Sequence, residues 1–458
     1  MGKKEVKVLI LWSSVFIIML SLLIAFPLLI GYATHEGQQN IVNLTSCQDL
    51  TTSNATYYLQ NDVSASGTCF NIMADNIILD GQGYTVNYST AVHGNGFNNT
   101  GRSDVTIKNV KIEQNGTLGS KIWFAYAIYF NGANRGAIEN NIIKTRGGAN
   151  SHGIYLVSSS DYSITNNVII TNGTNGNFGI DIYLNSYRNK ITGNTIRTDG
   201  TNSNIGISLN TNASISLISN NNIATNGNGV DGLGVSSSSG ISVFSSSRNN
   251  VTDNTITTSG TSANYGIQFG SHISSFTNSN NLVSNNNIAT NGNWSINYGI
   301  YFSGIDSKII GNTVRTNGTE RNYGIVLQDA MYSLVSNNNI VTSGSNISNT
   351  GIYVAGPSNN ITSNTISTNG QSLNHGVELG GGHNNLINNN NIVTTGITSD
   401  NHGITISYGM NNSIISNTLS SIKGDSIHVD YLLSTRNIFI SNVINSDSSY
   451  YDLNISAS

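Results

Sequence analysis

The sequence predicts an all-β solenoid, a rod in which short strands stack coil upon coil, and three observations carry that reading. First, a glycine followed by Ile or Val, a variable residue and a second apolar residue recurs, as in HGIYL at 152–156, YGIQF at 265–269, YGIYF at 298–302 and HGITI at 402–406. The glycines Gly153, Gly179, Gly206, Gly240, Gly266, Gly299, Gly324, Gly351, Gly376 and Gly403 stand roughly 25 to 34 residues apart, the spacing of solenoid repeats. Second, apolar residues in each unit alternate with a period of two, which is the period of a strand. Third, an Asn recurs just before a second strand in every unit, at Asn140, Asn166, Asn194, Asn221, Asn254, Asn286, Asn312, Asn338, Asn364, Asn390 and Asn417.

From the N-terminus, Lys3, Lys4 and Lys7 precede an uncharged, mostly aliphatic stretch from Val8 to Thr34. As a helix this stretch is long enough to cross a hydrocarbon core of about 30 Å. Residues 1–33 are therefore expected to be a signal peptide or a signal-anchor transmembrane helix, with the N-terminus inside and the rest exported or displayed at the cell surface. Residues 34–100 read as an N-terminal cap and first coils. Their Cys47 and Cys69, the only cysteines, would close a loop of about 20 residues in an oxidising exterior and staple that end.

Residues 101–445 carry the repeats. One ladder reads Ile128, Ile154, Ile180, Ile207, Ile241, Ile267, Ile300, Ile325, Ile352, Val377, Ile404, and a second, two residues later, reads Phe130, Leu156, Ile182, Leu209, Val243, Phe269, Phe302, Leu327, Val354, Leu379, Ile406. Alternation puts both on one face, so stacking makes a dry interior that no single unit could bury. Asn tolerates left-handed backbone angles, so the Asn column turns the chain at a corner and pairs with its counterpart on the next coil. Residues 446–458 read as a tail or cap. A solenoid grows linearly, so 458 residues form one elongated domain.

On these residues, and on NIMADNIILDGQGYTV at 71–86 with SDVTIKNVKI at 103–112, the chain resembles the right-handed parallel β-helix repeat family of the pectin-lyase-like fold, and its opening coils look like those of NosD-type secreted proteins. The resemblance implies a right-handed, single-stranded parallel β-helix of about 13 to 15 coils, preceded by the N-terminal hydrophobic helix. It does not imply one activity, because the family includes lyases, hydrolases, epimerases, copper-site accessory proteins, tailspikes and adhesins.

Charge narrows the partners. Only 9% of residues are charged and the net charge is -4, which leaves no basic stripe for nucleic acid. Parity places the residue two after each glycine on the outside, where Tyr129, Tyr155, Tyr301 and Tyr353 present aromatic faces beside hydroxyls and amides, as a glycan platform would. The loops lengthened around 228–238 and 271–279 offer a further glycan surface. The residue before each glycine shares parity with the core by the same count. In that column His375, His402 and Asp425 follow one another on neighbouring coils, a grouping that could lean toward Zn or Cu, although no specific motif for those ions or for Ca is present and no cofactor is required.

Carboxylates are scattered. Asp181 and Glu378 stand without an acidic neighbour in their column, and the nearest approach to a catalytic pair is Asp306 with Asp329, in loops after consecutive Gly-Ile strands. Glycosidase carboxyls must stand about 5 to 9.5 Å apart. Asn-x-Ser/Thr sites, among them Asn43, Asn54, Asn115, Asn293, Asn317 and Asn360, allow N-glycosylation. The sequence thus points to a carbohydrate-binding or structural glycoprotein rather than an enzyme, with a polysaccharide or surface glycan as partner. A polysaccharide lyase or glycoside hydrolase is the alternative, and a NosD-like copper-handling accessory protein the second.

Overall fold

The computed structural model describes residues 40–115, 123–227, 238–261, 263–270, 278–293, 295–430, 434–447 and 449–456. Its strands form three parallel sheets of 16, 15 and 16 strands. The first sheet runs from Asn40–Leu44 to Ile438–Ile440, the second from Val63–Ser64 to Val443–Ser446, and the third from Asp49–Leu50 to Leu453–Ser456. Each coil contributes one strand to each sheet, and pairing is always with the equivalent strand of the next coil: Ile154 pairs with Ile180, and Ile180 with Ile207. The fold is thus a parallel β-helix.

The hydrophobic helix expected over 1–33 lies outside the described residues, as do 228–237 and 271–277 of the lengthened loops. Among the described residues no helix is long and apolar enough to cross a membrane. The expected membrane anchor, and with it the membrane as a partner, therefore finds no support among the described residues.

Alternation explains the interior. Ile154, Ile180 and Ile207 of the third sheet, Ile164, Ile191 and Ile218 of the first, and Ile143, Ile169 and Ile223 of the second are fully buried. Burying such a side chain is worth about 1.5 to 3 kcal/mol, and repeating it coil after coil drives the stack. The repeat glycine also faces inward, contrary to strict alternation. A Cβ on Gly153 would come within 2.6 Å of Ile169 Cγ2, and one on Gly376 within 2.1 Å of Ile392 Cγ2. Only a hydrogen fits where the third sheet's entry meets the second sheet's isoleucine.

The Asn column performs half of the task assigned to it. Asn254 Nδ2 donates to Asn286 Oδ1 and to the Ile218 carbonyl, each at 3.0 Å, while its Oδ1 accepts the Asn221 backbone N–H. The same pattern runs through Asn141, Asn167, Asn194, Asn221, Asn286, Asn312, Asn338, Asn364, Asn390 and Asn417. Left-handed backbone falls instead to the residue before: Asn140, Asn166, Asn220, Asp253, Asn285 and Asn337 have φ near 55°. At the first two positions the ladder residues are accordingly Asn141 and Asn167, one place after those read from the sequence. At the N-terminal end Cys47 and Cys69 are joined, with Cα atoms 4.7 Å apart.

Candidate functional site

Because glycine and the following Ile or Val both face inward, the residues one before and two after the glycine emerge together on the outer face of the third sheet. Tyr126 stacks on Tyr129 at 5.4 Å, Tyr298 on Tyr301 at 6.2 Å, and the His152 ring meets the Tyr155 edge at 5.3 Å. The column before the glycine is therefore not a core column, as parity had suggested. Two columns form one stripe along the rod.

In the middle of the stripe the rings are continuous. Tyr265, Tyr298 and Tyr323 follow one another at 5.4 and 5.2 Å, and Tyr323 stacks on Tyr353 at 5.9 Å. Tyr301 and Tyr353 are half-buried, each with one part open to solvent. Toward the C-terminus the stripe becomes polar. Glu378 pairs with Tyr353 on one side and Thr405 on the other, and its Oε2 accepts the Thr350 hydroxyl at 3.1 Å. Burial raises the Glu378 carboxyl above its ordinary pKa, against a smaller lowering by Thr350.

Beyond Glu378 three imidazoles stack: His375 on His402 at 5.4 Å and His402 on His428 at 4.3 Å. His402 Nδ1 accepts the Asp425 backbone N–H at 2.9 Å, and His375 Nδ1 lies 3.2 Å from Thr405 Oγ1. Burial, then the neighbouring histidines, lowers His402 to about 4; burial and His428 do the same for His375. His428 is different. Burial works against its charge, but Nδ1 bonds Asp425 Oδ2 at 2.8 Å and Nε2 bonds Asp430 Oδ1 at 2.7 Å, so its pKa is raised. Asp425 is buried, which alone would raise it, yet hydrogen bonds from the Tyr451 N–H, Asn454 and His428 bring it below its ordinary value.

A smaller copy of this arrangement lies near the other end. His152 Nδ1 accepts the Phe178 N–H at 3.1 Å, which leaves the ring proton on Nε2, 3.7 Å from Asp181 Oδ2. Both groups are buried under Tyr126, Tyr155 and Phe178. Burial raises Asp181 to about 7 and lowers His152 to about 3, so burial favours the neutral form of both groups.

Asp306 and Asp329 are exposed turn residues with φ of 50° and 54°, and no hydrogen bond or ion pair joins them among the described residues. Asp329 does stand close enough to Tyr301 and Tyr353 to act on their hydroxyls. Of the three metal candidates, His402 and Asp425 come together with His428, their ligand atoms all within 4.8 Å, whereas His375 turns to Thr405. His402, Asp425 and His428 could hold an ion, but both His428 nitrogens donate to carboxylates and His402 Nδ1 accepts an N–H. The hydrogen bonds therefore favour protons over a metal in this cluster.

His428 and Asp430 were missed, and Glu378 was set aside as isolated. The signal lay in the residues one before and two after each repeat glycine: merged onto one face they read His375 with Glu378, His402 with Thr405, and Asp425 with His428. The expectation of a binder rather than an enzyme rested on that isolation. It is overturned by the cluster, which gathers acids and imidazoles of opposed proton affinity on the outer face of the third sheet.

No curated protein matches the chain. Among solved structures it is similar to a double mutant of the periplasmic alginate epimerase AlgG (12% identity, covering 85% of this chain and 77% of that one, TM-score 0.42). It is also similar to the DFA-IIIase of Arthrobacter chlorophenolicus A6 in complex with DFA-III (11% identity, 76% and 84%, TM-score 0.39). A third is the A-module of the Azotobacter vinelandii mannuronan C-5 epimerase AlgE6 (12% identity, 87% and 96%, TM-score 0.35). The family model described as the right handed beta helix region matches residues 60–204 and 298–456, and with its three parallel sheets and unbroken coil-to-coil register the chain belongs to the right-handed β-helix family.

Proposed function

We propose that this protein cleaves a polysaccharide by general acid–base catalysis on the outer face of the third sheet. The observation that carries the reading is the unbroken passage from the tyrosine row, Tyr265 to Tyr353, into the Glu378, His428, Asp425 and Asp430 cluster. Aromatic faces suit sugar rings, which offer an apolar face and a polar rim. Next to them, environments push neighbouring carboxyls apart in proton affinity, the condition for dividing acid and base roles.

Glu378, whose burial favours the protonated form, donates its proton to the glycosidic oxygen as the C–O bond breaks. Asp430, 39% exposed and oriented by His428, takes a proton from the water whose oxygen forms the new bond to the anomeric carbon. The proton gained by Asp430 and the one lost by Glu378 are restored through solvent. The two acids favour the protonated form of His428, and Asp425, itself held by Tyr451 and Asn454, fixes its ring. Tyr301, Tyr353 and the adjoining rings hold the chain in line, with Tyr129 and Tyr155 as a separate platform around Asp181.

The test is release of new reducing ends from a panel of neutral and charged polysaccharides. Glu378→Gln should abolish release, on the order of 10²- to 10⁴-fold, while retaining the polymer. Tyr301→Ala with Tyr353→Ala should weaken retention by about 1 to 3 kcal/mol. Full activity in Glu378→Gln would remove the acid from the scheme.

A further inference from the structure

Charge separates the three sheets. Lys108, Arg135, Lys190 and Lys308 lie in strands of the first sheet, and Lys111, Lys144, Arg197 and Arg315 in strands of the second. Among the described strands of the third, Arg321 is the sole lysine or arginine. Acids are not excluded from it in the same way: Asp49, Asp181, Glu320, Glu378 and Asp430 all lie in its strands. The face with the tyrosines is therefore the face poorest in lysine and arginine.

The placement is local as well as general. Glu378 is close enough to act on the Tyr323 and Tyr353 hydroxyls, and Asp329 on those of Tyr301 and Tyr353. The imidazole of the polar cluster whose protonated form is favoured, His428, is already bonded on both sides by Asp425 and Asp430. A polyuronate laid along this stripe would bring its carboxylates toward Asp329, Asp425 and Asp430, with Arg321 and the already paired His428 to receive them. An ammonium group on the sugar would meet the opposite situation: tyrosine faces that attract cations, and carboxylates beside them.

We infer that the polymer this stripe takes is an amino-sugar polysaccharide with free ammonium groups, of the polyglucosamine kind, and not a polyuronate. The inference rests on the placement of the glycan on the third sheet proposed above, and goes beyond it in naming the charge of the substrate.

Three probes test it on the full chain: chitosan, its fully N-acetylated counterpart and polygalacturonate, each in retention assays at low and high salt. Chitosan should be retained about tenfold more tightly than the acetylated polymer at low salt, with the difference shrinking as salt rises, since the added attraction is between charges. Polygalacturonate should not be retained. Asp329→Asn should weaken chitosan retention about threefold and Arg321→Gln strengthen it, while Asp199→Asn, on the second sheet, changes nothing. Melting temperatures of the three variants should match wild type, so that the readout is binding.

Equal retention of the two glucosamine polymers at all salt concentrations would overturn the inference, as would retention of polygalacturonate or indifference to Asp329→Asn. Cleavage of polygalacturonate would overturn it while leaving the acid–base reading in place. Chitosan retained with the expected variant effects but never cleaved would support it and count against the catalytic reading instead.

Discussion

A single atom position decides much of this molecule. The repeat glycine is present because two groups crowd the place of its Cβ, an aliphatic methyl one sheet away and the carbonyl of the next repeat glycine; at Gly266 the Ile288 Cγ2 would lie 2.2 Å and the Gly299 oxygen 2.5 Å from an added carbon. Gly266→Ala should cost about 1 to 3 kcal/mol, and an Ile288→Ala background should recover only part of that cost because the Gly299 carbonyl remains, a coupling that thermal melts of the two single variants and the double variant would measure. A similarly local argument applies to Asp181. Its folded pKa is raised to about 7 by burial, so the unfolded chain releases this proton at a lower pH than the folded one. The resulting penalty is absent below the ordinary carboxylate pKa, grows as pH rises, and is complete above about 7. Asp181→Asn should therefore stabilise the protein by roughly 2 to 4 kcal/mol at pH 8, with the gain fading toward pH 4 in denaturant titrations. A gain that did not change with pH would show that burial does not hold Asp181 neutral.

At the scale of the strand and its corner, most of the architecture was legible and the exceptions have physical causes. Two-residue alternation located the inward ladders, since Ile267 and Phe269 are fully buried as the pattern requires. Alternation fails only across the glycine, where two successive residues face inward. That local break put His152, His375 and His402 on the wrong side of the strand in the sequence reading, and hid the pairing of Glu378 with the histidine stack. The Asn ladder was likewise legible in kind but shifted at its start, because adjacent asparagines divide two tasks that a sequence cannot tell apart: Asn140 takes the left-handed angle while Asn141 bonds across coils. Removing a ladder amide strands several buried groups at once. Asn254→Ala would leave the Ile218 carbonyl, the Asn221 N–H and the Asn286 oxygen each short of a partner. At about 1 to 3 kcal/mol for an unsatisfied buried group, the variant should lose several kcal/mol, and hydrogen exchange should show the loss concentrated in the adjoining coils. Uniform loosening along the rod would mean that the ladder is not a local corner.

The whole molecule is a rod with three unlike faces, and the function proposed for it depends on that difference. Stacking brings residues from four coils, Glu378 to Asn454, into one cluster although they span much of the C-terminal repeat region. No pairwise spacing in the sequence announces such a site, because repeat length varies and the register is set only when the strands pair. The tyrosine row, the scarcity of cations and the divided carboxyls all lie on the third sheet, so the account stands or falls with where a glycan binds. The most direct measurement is a crystal structure of Glu378→Gln with a bound oligosaccharide. The account predicts sugar rings against Tyr298, Tyr301, Tyr323 and Tyr353, with a glycosidic oxygen within hydrogen-bond distance of the residue 378 side chain. An oligosaccharide seated on the first or second sheet, with the tyrosine row bare, would contradict it.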